Sequence, residues 1–329
     1  MSVYLALILA GCVLGLVLTP LVTLTSTALG LVDAPGGRKV HSISVPRVGG
    51  VAVLLAAVLA LIGVTLLARW QGFATPPLRP ITPILVGAVL VFSIGVLDDL
   101  RPLPAWLKVL VQVLAAAVVM APGLLIERIT IGGQSWQLGA LSWLVTLAWI
   151  VGVTNAFNLI DGIDGLAAGI GVIAGVTCAA ILVGRGHLAE AMVLSALVGA
   201  ALGFLAYNFP PASIFLGDGG SLMVGFLLAT TAITGWQKGA TALAAGVPLL
   251  IFALPIADVL SALLRRVFRH PAPGRLTMGR LLRQIAESDR EHIHHRLMAL
   301  GWSTPKTILL LYSVTMVLSM VALATARFG

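Results

Sequence analysis

Charge is what this sequence has least of. Asp, Glu, Lys and Arg make up 10% of its 329 residues, where a soluble domain carries about 25%. Apolar residues reach 59% and the mean hydropathy is +1.07, which excludes an ordinary soluble fold and points to a protein embedded in a bilayer. Cysteine is nearly absent, and both Cys12 and Cys178 lie inside apolar runs, so no disulfide framework follows. Long polar stretches are missing too. Apart from 264–306, nothing polar of any length separates the apolar runs, and residues 1–329 read as a single integral membrane domain.

What is present is a series of runs long enough to cross a bilayer, which takes roughly 17–25 apolar residues per helix. Ten can be marked: 3–24, 48–68, 81–97, 105–123, 141–157, 166–184, 188–206, 219–235, 241–263 and 307–326. The eighth is weak, being rich in Gly and Thr. The first carries "LAGC" at 9–12, but no Lys or Arg precedes it as a signal peptide requires, so it reads as the first span. The expectation is an all-α polytopic membrane protein of about ten transmembrane helices.

Alternating the spans sorts the loops into two sets. Fourteen of the twenty Lys and Arg fall in one set, among them Arg38, Lys39, Arg47, Arg101 and Lys108 and the basic residues of 264–306. By the positive-inside rule that set is cytoplasmic, which places both termini outside. The acids follow the same division: Asp33, Asp98, Asp99, Asp161, Asp164, Asp218, Glu287, Asp289 and Glu291 are cytoplasmic, only Glu127 and Glu190 are external, and Asp258 lies within the ninth run. Segment 129–139, "ITIGGQSWQLG", alternates around a Gly pair and reads as a small external β-hairpin.

Five cytoplasmic segments carry chemistry: "RKVHSISVPRVGG" (38–50), "GVLDDLRPLPAWLKVLVQ" (95–112), "NAFNLIDGIDGLAAG" (155–169), "YNFPPASIFLGDGGSLMVGF" (207–226) and "DREHIHHRLMALGW" (289–302). A solvated helix end would explain Asp98 and Asp99 in isolation, yet adjacent carboxylates repel, and they sit at the unfavourable end of the helix dipole. Asn155, Asn158, Asp161 and Asp164 step by three, winding around a helix end interrupted by Gly162 and Gly165. Capping of the sixth span accounts for one or two of them; the rest point to a ligand. "GDGGS" sets Asp218 at a helix N-terminus among glycines, a ready anion site. His292, His294, His295 and Arg296 share five residues; without a cysteine or a zinc-protease motif, phosphate recognition suits them better than zinc. Mg2+ takes one or two carboxylates plus substrate phosphates, and phosphoryl transfer depends on such positioning and neutralisation. The residues therefore indicate a magnesium-dependent reaction on a phosphorylated substrate at the cytoplasmic surface.

These five segments, in this order and across nearly the whole chain, resemble the polyprenyl-phosphate N-acetylhexosamine-1-phosphate transferase family (glycosyltransferase family 4). The resemblance implies a bacterial inner-membrane enzyme that moves a sugar-1-phosphate from a UDP-N-acetylhexosamine to undecaprenyl phosphate and releases UMP, beginning a cell-envelope glycan. It implies Mg2+, with Mn2+ as substitute, bound by Asp218. Asp98 and Asp99 match the acidic pair that handles the lipid phosphate, and Asp161 and Asp164 join them as catalytic residues beside Asn155 and Asn158 of the polar loop. Lys108 matches a lysine near the diphosphate, Asn208 and Phe215 match uracil-holding positions, and His292, His294, His295 and Arg296 match the histidine motif for substrate recognition. Two departures stand out: Pro102 replaces a third acid common in the family, and Ser44 replaces a common Pro. "HIHHR" resembles the branch using UDP-N-acetylglucosamine; the peptidoglycan branch, using UDP-MurNAc-pentapeptide, typically has three consecutive His. A direct attack and a two-step route through an aspartyl-phosphate fit the same residues. A secondary transporter is the rival from another class; Asp258, close to Pro255, reads as a helix-break residue beside the site, or as part of a relay under that rival. No nucleic-acid partner is expected, and the sequence leaves open the donor, the glycan, the conformation of 33–48 and whether the chain forms a homodimer.

Overall fold

A computed structural model describes residues 2–33, 45–131, 134–236, 246–269 and 293–328. Its helices are α1 (Ser2–Ala28), α2 (Gly49–Trp70), α3 (Thr82–Leu100), α4 (Ala105–Met120), α5 (Leu141–Ile160), α6 (Leu166–Gly184), α7 (Leu188–Asn208), α8 (Gly217–Trp236), α9 (Gly246–Ile251), α10 (Ala253–Arg269), α11 (Ile293–Ala299) and α12 (Thr304–Phe328). Among the described residues the ten apolar runs fall largely on helix, and seven helices are long and apolar enough to cross a membrane. The chain is a multi-pass membrane protein with an all-α body.

The three remaining runs differ for separate reasons. α4 is short, at 16 residues. The ninth run is broken at Phe252 between α9 and α10, with Pro248 and Pro255 on either side. α8 is the structural centre, packed by α2, α3, α5, α6 and α7. Every residue from Gly219 to Gly235 is buried, so this helix meets protein and can carry the Gly and Thr that made its run weak. Its hydroxyls are satisfied within the helix: Thr230 donates to the Phe226 carbonyl at 2.8 Å and Thr231 to that of Leu227 at 2.6 Å. α1 shows the opposite pattern. Leu5, Leu9, Val13, Val17, Leu21 and Leu24 form an exposed stripe suited to lipid, while Gly11 and Gly15 on another face meet Ala196 and Ala200 of α7 backbone to backbone, the small-residue packing typical of membrane helices.

Two small ribbons complete the fold. β1 (Val32–Asp33) pairs antiparallel with β2 (Val45–Pro46) at the base of the first loop, whose residues 34–44 lie outside those described. β3 (Arg128–Ile131) and β4 (Gln134–Gln137) form the hairpin expected from 129–139, in the register Ile129 opposite Trp136. The start of α4 and of α8 and the ends of α3 and α5 share one end of the bundle, where hydrogen bonds join them.

Candidate active site

The site begins with a helix terminus that needs an anion. The first N–H groups of α8 have no partner inside their helix, and the Asp99 carboxylate supplies one from the end of α3. Its Oδ1 accepts the Asp218 N–H at 2.8 Å and its Oδ2 the Gly219 N–H at 3.0 Å. A carboxylate unfavourable at the C-terminus of α3 becomes favourable at the N-terminus of α8. The anion expected at "GDGGS" is thus a side chain of the protein itself. The glycines serve that approach: Gly217 has a left-handed φ of 76°, and a Cβ there would lie 2.7 Å from Asp99 Oδ2.

Asp98 faces a different partner. The Lys108 ammonium, in the first turn of α4, donates to Asp98 Oδ2 at 2.9 Å and to Asp218 Oδ2 at 2.8 Å. Asp98 Oδ1 accepts the Leu103 N–H at 2.6 Å, which closes the tight α3–α4 connection containing Pro102 and Pro104. The three side chains keep 17–27% of their surface exposed, so the cluster is open to a ligand yet sheltered enough for its charges to act strongly.

The four Asn and Asp of 155–164 divide their work. Asn158 donates to Ser221 Oγ at 3.0 Å and also hydrogen-bonds the Asp218 carboxylate. Asp161, just past the end of α5, accepts from the Gly217 backbone. Burial pushes its carboxyl well above the usual carboxylate range, and the charges of Asp218, Asp99 and Asp164 push the same way. Asn155 lies further into the bundle and pairs with Gln112 of α4 through both amide groups. Asp164 is buried and accepts the Ala212 N–H at 3.0 Å, bracing the α7–α8 loop. The capping alternative for α6 does not hold: its N-cap is Gly165, with no side-chain cap.

That loop is tied down on several sides. Asn208 is buried, and its amide donates to the Ile214 carbonyl at 2.9 Å across the loop. Phe215, partly exposed, bonds through its backbone to Pro46 of β2 and to Gly49 of α2. Asn208 is therefore placed to shape the loop beneath Phe215 rather than to present its own amide at the surface. In the histidine segment, His292 lies outside the described residues. His294 is buried and His295 and Arg296 are exposed on α11, with the two imidazole centroids 4.4 Å apart. His294 Nε2 lies 2.8 Å from where a Gly162 Cβ would stand, so this segment docks on the α5–α6 loop. Tyr312 of α12 secures the same loop by donating to the Gly165 carbonyl at 2.5 Å.

Gln112, Ser221 and Tyr312 were not singled out by the sequence. Gln112 had a usable signal, being one helical turn from Lys108 in an otherwise apolar helix. Ser221 and Tyr312 had none, since their partners lie far away in the chain.

The arrangement fits a divalent cation. Asp98 and Asp218 hold the Lys108 ammonium, Asp99 and Asp161 lie against the start of α8 beside them, and the repulsion at Asp161 is what a bound cation would relieve. Among the described residues no three His, Cys, Asp or Glu form a metal cage. A cation would take one or two carboxylates here and its other ligands from phosphates and water, as Mg2+ usually does.

Residues 81–236 match glycosyl transferase family 4, a stretch running from the start of α3 to the end of α8 and holding the whole carboxylate cluster. Over 94% of this chain and 81% of the relative, the sequence is 34% identical to a probable undecaprenyl-phosphate N-acetylglucosaminyl 1-phosphate transferase of Bacillus subtilis. It is 33% identical to the decaprenyl-phosphate N-acetylglucosaminephosphotransferase of Mycobacterium tuberculosis, over 88% of this chain and 74% of the relative. It is also 33% identical to a phospho-N-acetylmuramoyl-pentapeptide-transferase of Streptococcus thermophilus, but over 60% of this chain and 63% of that protein. The chain belongs to glycosyl transferase family 4.

Proposed function

We propose that this family member transfers N-acetylglucosamine-1-phosphate, or a closely related N-acetylhexosamine-1-phosphate, from its UDP-sugar to undecaprenyl phosphate and releases UMP. The reading places the reaction at the cytoplasmic face of a bacterial inner membrane, in a body of ten crossings. The observation that carries it is the Lys108 ammonium held between Asp98 and Asp218 at the mouth of a carboxylate cluster. The relatives matched along nearly the whole chain are named for N-acetylglucosamine-1-phosphate transfer to a polyprenyl phosphate, which supports the same choice of substrates.

In this mechanism an oxygen of the lipid phosphate attacks the sugar-bearing phosphorus. A new P–O bond forms, the bond from that phosphorus to the bridging oxygen breaks, and its electron pair leaves on UMP. The second pKa of a phosphate monoester is about 6, so the attacking group is largely dianionic at neutral pH and needs little help from a base. Asp98, bound to Lys108, orients the lipid phosphate and takes any residual proton; Asp99 caps the start of α8 and so fixes Asp218. Lys108 offsets charge growing on the leaving phosphate, the kind of electrostatic assistance worth about a hundredfold or more in rate. Mg2+ held by Asp218, with Asp161 beside it, would neutralise the diphosphate. Phe215 offers a face for the uracil, and His294, His295 and Arg296 approach the donor from the α5–α6 loop.

The test is UMP release by purified protein with undecaprenyl phosphate and Mg2+, comparing UDP-N-acetylglucosamine with UDP-MurNAc-pentapeptide and using Asp218→Asn as control. Turnover of the first alone, lost in the variant, is expected. Turnover of the second alone would transfer the protein to the peptidoglycan branch, and silence with both and with a panel of other UDP-N-acetylhexosamines would overturn the reading.

A further inference from the structure

One buried acid takes no part in that scheme. Asp258 lies in α10, six residues after the Phe252 break, and is 1% exposed. A buried carboxylate is costly unless it is hydrogen-bonded, so its partner is informative. Its Oδ1 accepts the N–H of Ile293 at 2.7 Å, across 35 residues of chain. Ile293 is the first residue of α11, where unsatisfied N–H groups favour an anion.

The next residue, His294, is 2% exposed and set against Gly162, beside Asp161. α10 is referenced in turn to α5: the two helices pack together, and the ring of Phe252, in the break before α10, lies 5.9 Å from Trp149 and 6.0 Å from Phe157 of α5. A continuous chain of contacts therefore runs from α5 through Asp258 to the histidine segment and back to the loop that ends α5.

We propose that Asp258 is a positioning residue: by holding the start of α11 it keeps His294 docked on Gly162 and thereby sets binding of the UDP-sugar, without touching the reacting atoms. This rests on the function proposed above for the histidine segment. It also gives the acid of the ninth run a role other than the proton relay a transporter would require. The backbone partner explains why a buried acceptor is needed here, and Pro255 with the break at Phe252 explains how α10 comes to present it.

The experiment compares wild type, Asp258→Ala and Asp258→Asn in two readouts. The first is KM for UDP-N-acetylglucosamine, KM for undecaprenyl phosphate, and kcat. The second is backbone amide exchange in the peptide beginning at Ile293. Asp258→Ala is expected to raise donor KM about tenfold, the size of a lost helix cap, with lipid KM within about twofold and faster exchange at Ile293. Asp258→Asn retains a carbonyl acceptor and should stay near wild type in both. Equal changes in the two KM values, no change in either, or an Asn variant as impaired as Ala would overturn the proposal. A wild type silent toward both donors would instead sink the proposed reaction, and amide exchange would then decide the anchoring by itself.

Discussion

The two ends of this bundle are built from the same kind of helix and differ in what their polar groups bind. At one end, side chains from α3, α4, α5 and α8 bind one another across more than a hundred residues of sequence: Lys108 with Asp218, Asp99 with the start of α8. At the other end, polar groups mostly settle locally or on a carbonyl. Arg185 donates to the Gly235 carbonyl at 2.7 Å, His187 lies 3.8 Å from Glu190 three residues on, and the Ile126 N–H finds Thr146 Oγ1 at 2.8 Å. Such groups finish helix ends. Carboxylates crowded against one ammonium do not stabilise a fold by themselves, and gathering them costs desolvation. The difference teaches that the first end is arranged for a charged ligand and the second for closing the bundle.

Variants can break or sharpen this contrast. The largest effect is expected from Lys108→Met, which leaves Asp98 and Asp218 without their shared cation; turnover should fall by about a hundredfold or more, measured as UMP release. Adding Asp98→Asn to it should cost much less than the two single losses combined, because the residues act as a unit. A middle effect separates the adjacent acids. Asp99→Ala should lower stability by about 1–2 kcal/mol through loss of the α8 cap, while Asp98→Asn should lower kcat more and stability less; melting temperature and kcat measured on both variants check this. The smallest effects belong to the far end. Glu190→Gln should leave turnover within about twofold and stability within about 1 kcal/mol, and a large loss of activity there would erase the contrast.

Much of this plan was legible in the chain. The ten apolar runs follow from their length and the hairpin from its alternation, and the clustering of acids at span ends marked segments that the fold brings together. What the pattern could not show was partnership. Asp98 and Asp99 are neighbours in sequence with separate duties, because the end of α3 turns one carboxyl to Lys108 and the other to α8. The glycines of "GDGGS" look like a phosphate cradle, yet they admit Asp99 and the ends of α2 and α3. Asn155 and Asp164 share the spacing of Asn158 and Asp161, but Gln112 and Ala212 draw them aside. Asp258 was conspicuous as a lone acid in an apolar run, and its partner, a backbone N–H, carries no sequence signature at all.

The central claim is that a sugar-phosphate, not a bare sugar, passes to the lipid. It is tested most directly by following phosphorus with UDP-N-acetylglucosamine radiolabelled at either phosphate, in the presence of undecaprenyl phosphate and Mg2+. The account predicts that the label next to the sugar moves into the organic phase while the label next to uridine stays in water as UMP. Both labels remaining in water as UDP while sugar enters the lipid would contradict it.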